Sequence, residues 1–159
     1  MDTLLRTRGV TVVEVLVGVA LFGVVLVFVM NTLGVLLSNA NVVREQTKAT
    51  LLAMEGQEMV RAIRDNDWND ISALTTGTSY YLDIDPTMLA LGITPEVIGG
   101  TYTRTITFAS VYRNASDDIV SSSAPGAVID TGSRTVTVVL SWGSNSVSLQ
   151  SLLTNIFDI

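Results

Sequence analysis

Residues 10–37 read VTVVEVLVGVALFGVVLVFVMNTLGVLL, and Val15 to Met30 within them is a run of sixteen residues without a polar side chain. Asn31 and Thr32 interrupt the run before Leu33 to Leu37 resumes it. The whole span is 28 residues, against the roughly 20 that a membrane-crossing helix needs. As a helix it would be about 42 Å long. Its high Val content does not argue for a strand, because lipid leaves the backbone only helices and closed barrels. Residues 10–37 are therefore expected to be a transmembrane helix.

Charge supports an orientation. Arg6 and Arg8 precede the run, and the next basic residue is Arg44. The positive-inside rule places the N-terminus in the cytoplasm and residues 38–159 outside. Of the net charge of −6, the acidity sits late: residues 67–159 hold nine acidic and three basic groups. An acidic domain is a poor electrostatic partner for nucleic acid. The chain has no His and no Cys. That removes zinc centres of the usual kind, thiol nucleophiles, His-based triads and disulfides. No nucleotide-binding or hydrolase motif is present. Asp83 and Asp85 fall on one side of a strand candidate, but Pro86 follows at an exposed end. No enzymatic activity, cofactor or metal is expected.

Glu14 stands five residues into the apolar run, among Val12, Val13, Val15 and Leu16. A carboxylate inside a bilayer costs about 2.5–3.5 kcal/mol on insertion scales. It can snorkel to the interface, or it can answer a positive group on another chain.

The residues around it resemble a known signal. RG followed by VTVVEVLVGVAL is similar to the class III leader of type IV pilins and pseudopilins: a short basic leader ending in Gly, then a hydrophobic helix with Glu at its fifth position. The leader would be residues 1–9, ending at Gly9. Val10 would be the first mature residue, Thr11 the second and Glu14 the fifth. Glu55 to Trp68 (EGQEMVRAIRDNDW) is similar to the helix end of minor pilins and pseudopilins. Arg134 to Ile156 is similar to their C-terminal β-hairpin. Val10 stands where Phe is usual, and Asn31 where the family often has Pro.

The resemblance implies a structural subunit, a minor pilin or pseudopilin. A prepilin peptidase would cut between Gly9 and Val10 and methylate the new amine of Val10. The chain would wait in the inner membrane until an assembly platform and its ATPase moved it into a filament of pilins or pseudopilins. Glu14 would face the Val10 amine of a neighbour, with Thr11 beside it, and set the register. The alternatives are a single-pass anchored β-domain with an extracellular partner, and a secreted protein cut after Ser38-Asn39-Ala40.

Beyond the run the chain stays helix-compatible to Asn66. Val42, Ala49, Leu52, Ala53, Val60 and Ile63 fall on one stripe with Gly56, and Arg61 and Asp65 are spaced to pair. One helix over about 10–66 is expected, transmembrane over 10–37 and amphipathic over 38–66. The rest, 67–159, reads as a small β-rich domain, so the fold class is α+β, pilin-like, with the helix packed on an antiparallel sheet. Strands are expected over Ser79–Ile84, Tyr102–Tyr112, Arg134–Trp142 and Ser146–Thr154. Gly143-Ser144-Asn145 reads as a hairpin turn. Thr87–Leu91 reads as a short helical turn and 113–133 as a long surface loop. Asp65 to Asp70 is read as helix-ending caps rather than a calcium site, because the spaced Gly and Glu of a calcium loop are missing. Trp68 and Trp142 are read as core anchors. Asn114-Ala-Ser116 matches a glycosylation triplet.

Overall fold

A computed structural model describes residues 11–85 and 88–156. It contains a helix α1 (Val12–Asn66), a one-turn helix α2 (Asn69–Ser72) and seven strands: β1 (Ser79–Asp85), β2 (Met88–Gly92), β3 (Glu96–Ile98), β4 (Tyr102–Arg113), β5 (Ile119–Val120), β6 (Val128–Trp142) and β7 (Asn145–Thr154). The fold is α+β, with one long N-terminal apolar helix and one antiparallel sheet. The chain divides into two compact units, residues 1–44 and 45–159, and α1 contributes to both.

In the first unit the large apolar side chains from Val12 to Val43 are exposed. The described part of this segment is apolar all round rather than amphipathic.

In the second unit the strand order is β2-β1-β4-β6-β7. β6 runs along one side of β4, and the other side is shared by β3, β1 and β5 in turn. β4 and β6 alternate buried and half-buried residues, the pattern of a sheet with one face in the core. Tyr102, Ile106, Phe108, Val136, Val138, Leu140 and Trp142 form that face. The helix covers it with Ala49, Ala53, Gly56, Val60 and Ile63. These positions recur at three- and four-residue spacing and are small where the helix meets the sheet, which lets the backbones approach. Val42 does not join this stripe; it is 59% exposed, because the packed part of the helix begins lower, at Ala49.

Gly56 lies at the closest approach. A Cβ there would sit 2.7 Å from Arg104 Cδ and 3.2 Å from Val138 Cγ1. On an open helix surface Gly→Ala stabilises by about 1 kcal/mol. Here the sign reverses: Gly56→Ala is expected to destabilise by about 1–3 kcal/mol through overpacking. Chemical denaturation of the detergent-solubilised chain checks this, and a stabilised variant would refute the contact.

The aromatic anchors behave as expected from sequence. Trp142 is buried against Tyr102, with ring centroids 5.9 Å apart, and Trp68 packs on the core edge. The indole Nε1 of Trp142 donates to Glu45 Oε2 at 3.2 Å. Lys48 Nζ lies 5.0 Å from the centre of the Tyr102 ring. The β6–β7 turn closes with Trp142 opposite Asn145, leaving Gly143 and Ser144 as the two turn residues. Gly143 has φ 54° and Ser144 does not share its positive φ, which matches a type II′ turn with Gly in first place.

Three expectations are corrected. The segment read as a helical turn over Thr87–Leu91 is strand from Met88, because Leu89 and Leu91 alternate against the core while residues 88–92 pair with β1. The stretch 113–133 is not one loop: β5 pairs with the end of β4, and β6 begins at Val128. Polar and Gly-rich residues hide this ribbon, whose pairing is long-range. Arg61 pairs with Glu58 rather than Asp65, and Arg64 takes Asp65.

Candidate functional site

The start of α1 is set by its own first residues. Thr11 precedes the helix, and its Oγ1 accepts from the Glu14 backbone N–H at 3.3 Å. The Thr11 carbonyl accepts from Glu14 N at 3.0 Å and Val15 N at 3.2 Å. Thr11-Val12-Val13-Glu14 is thus a Thr-x-x-Glu start, the sequence of a capping box, with Thr11 as the N-cap. A Glu in the first helical turn also sits well with the positive end of the helix dipole. These short-range roles give the Thr and Glu three apart a local purpose, one legible in the sequence as a Thr-x-x-Glu helix start. Glu14 is exposed. Gly9 and Val10, the expected cleavage and methylation positions, lie outside the described residues.

The helix so begun is long and apolar enough to cross a membrane. Thr32 follows the usual rule for a hydroxyl in an apolar helix, donating to the Phe28 carbonyl at 2.9 Å. Its hydroxyl therefore adds little polarity to the surface, whereas the Asn31 amide does.

In the second unit the decisive side chain is Arg104, which the sequence reading passed over. It sits on the core face of β4 with its side chain 2% exposed. Its guanidinium forks onto Glu96 of β3, Nε to Oε2 at 2.8 Å and Nη2 to Oε1 at 2.6 Å. Nη1 donates to the Leu52 carbonyl of α1 at 3.0 Å and reaches Glu55 Oε2 at 3.4 Å. One buried cation thus ties β3, β4 and α1 together, with a bidentate carboxylate as its main partner. The alternation Tyr102-x-Arg104-x-Ile106-x-Phe108 carried the clue: a charge in register with the apolar face of a strand.

A second ion pair holds the distal ribbon. Arg113 Nε donates to Asp130 Oδ2 at 2.7 Å, and Nη1 donates to the Asp117 carbonyl at 2.8 Å. Asp117 itself has φ 66°. The pair lies beside an irregularity where residues 131–133 bulge out of β6. The hydrogen bond from Arg113 holds the Asp130 carboxyl below the usual carboxylate range, and the bond from the Gly132 N–H adds to this. The Asp130 bond in turn raises the Arg113 guanidinium. A carboxyl whose folded pKa is depressed binds fewer protons than in the unfolded chain. Its contribution is whole above the ordinary value near 3.9 and is lost as pH falls through the lower folded value. Asp130→Asn should therefore flatten the acid limb of thermal stability below about pH 4. An unchanged acid limb in that variant would refute the assignment.

The other sequence candidates have local duties. Asp67 Oδ1 accepts from the Asn69 N–H at 2.8 Å and from its amide at 3.0 Å, closing a tight turn between α1 and α2. Among the described residues no three acidic side chains come together as a metal site. Asn114 Oδ1 accepts from the N–H groups of Ser116 and Asp118, both at 2.9 Å, and so closes its own turn. Asp83 is exposed on β1, and the side chain of Asp85 lies outside the described residues.

Compared with known protein families, curated proteins and solved structures, the chain has no match. The described residues hold a bare apolar helical segment with a carboxylate in its first turn, and a domain locked by a buried arginine.

Proposed function

We propose that this chain is a pilin-like structural subunit, a minor pilin or pseudopilin, of a type IV pilus or a type II secretion-like filament. The observation that carries the reading is one helix with two surfaces. Its first part, over residues 12–37, exposes apolar residues interrupted only by Glu14, Asn31 and Thr32, and its second part seats small residues on an antiparallel sheet. A membrane anchor needs only the first property. A subunit that passes from lipid into a helical bundle needs both the uninterrupted helix and a reason to stop at one register. Glu14 supplies that reason, since a carboxylate in low dielectric is costly unless it meets a cation. The cation in this reading is the Val10 amine of a neighbouring subunit, freed when prepilin peptidase cuts after Gly9. The membrane is the bacterial inner membrane, with the N-terminus cytoplasmic and residues 38–159 outside. The partners are other pilins or pseudopilins, the peptidase, the platform protein and the ATPase.

Intact mass and N-terminal sequencing of the protein from native membranes test this. A chain that starts at Val10, with or without a methyl on its amine, is the expected result. A chain that starts at Met1 would replace the filament subunit by a plain anchored domain. A start beyond Ala40 would mean a secreted protein.

A further inference from the structure

The sheet face turned away from α1 is rich in hydroxyls, with Val139 and Leu152 set among them. Thr103, Thr105 and Thr107 alternate with the core residues of β4, and Thr107 stands opposite Thr137 of β6. Two clefts, of about 540 and 490 Å³, adjoin on this side and share Ser110 and Tyr112 in their linings. The first extends toward β5 and to Gln150 on β7, and the second toward the Gly77 turn. None of the residues lining either cleft is charged. That is notable in a region where residues 67–159 carry nine acidic and three basic groups.

We propose that these paired clefts bind a neutral oligosaccharide, with one sugar on each side of Tyr112. An ionic ligand would find no counter-charge in the lining. A purely apolar ligand would strip water from hydroxyls and leave them unpaired. An extended peptide adds to a sheet through free backbone groups at an edge. Across the floor of the clefts Ser110, Thr135 and Thr137 already have cross-strand partners, and β7 offers its free edge only at one rim of the first cleft. A pyranose answers the remaining demands. Its apolar face stacks on an aromatic ring, and its hydroxyls both donate to and accept from Ser, Thr and Gln side chains. Two clefts sharing one aromatic residue suit a ligand of two or more linked rings.

This site stands independently of filament assembly, so a chain found unprocessed would leave it intact. The test uses the full chain in a zwitterionic detergent without a sugar headgroup. Saturation-transfer NMR is recorded with cellobiose, maltose and N,N′-diacetylchitobiose as probes. Transfer to at least one disaccharide, with a Kd of about 1 mM or tighter, is expected. Tyr112→Leu should weaken it at least about tenfold. Ser121→Arg, at an exposed position in the first cleft, should do the same without touching the core. Tyr81→Leu, outside both clefts, should leave it unchanged. No transfer to any of the three sugars at about 20 mM would overturn the proposal. So would transfer that survives both Tyr112→Leu and Ser121→Arg.

Discussion

Arg104→Ala is expected to lower the stability of the C-terminal unit by about 3–5 kcal/mol, the range for removing one partner of a buried ion pair. The loss has two sources. Glu96, with its side chain only 15% exposed, would keep its charge and lose its bidentate partner. The space beside Gly56 would also open, since the Arg104 stem packs where a helical Cβ would otherwise be. Thermal unfolding followed by Trp68 and Trp142 fluorescence should show a midpoint lowered by more than about 10 °C. The double variant Arg104→Met with Glu96→Leu separates charge from packing. It should recover most of the loss, because a buried ion pair exchanged for apolar groups of similar volume is often neutral or better. A single variant within about 1 kcal/mol of the parent would show that the buried cation does not hold the helix on the sheet.

In the proposed filament role, Glu14→Gln is expected to abolish recruitment while leaving membrane insertion intact. The choice of Gln matters. Glu and Gln both serve at the third position of a capping box, so the start of α1 with Thr11 as its N-cap survives the change. Only the charge is lost. If Glu14 pairs with a neighbour's amine, the variant leaves an ammonium unpaired in low dielectric, a penalty of about 3–5 kcal/mol. Each 1.4 kcal/mol is tenfold, so co-purified filaments should contain the variant at least about a hundredfold less. Thr11→Ala makes the converse comparison. It weakens the cap by about 1 kcal/mol and leaves the carboxylate in place, so recruitment should persist. Equal incorporation of Glu14→Gln and parent would reduce Glu14 to a capping residue.

The two sites differ in how far they could be read before the fold was known. Glu14 is conspicuous in sequence because everything around it is apolar. Its local role with Thr11 spans three residues and needs no tertiary structure. Arg104 stands in a Thr-Arg-Thr-Ile-Thr strand where charges are unremarkable until the apolar face is assigned. Glu96 lies eight residues earlier on a strand of three residues, and Leu52 and Glu55 lie about fifty residues away on α1. No local pattern connects them. The ribbon of β5 and early β6 was hidden for the same reason. Ile119–Val120 is a strand only because Tyr112 and Arg113 pair with it.

By itself, the sequence determined what depends on neighbours along the chain. These are the membrane-length apolar helix, its Thr11–Glu14 start, the α+β division, the principal strands, and a hairpin turn at Gly143-Ser144-Asn145, which the strand register narrows to Gly143-Ser144. Each follows from periodicity, capping or turn geometry over a few residues. Tertiary structure alone decided which charge went inside, where the helix packs tightly enough to require Gly56, and how β2, β3 and β5 complete the sheet. Those outcomes depend on which distant groups meet, and the cost of leaving a buried cation or a strand edge unpaired is known only once they do.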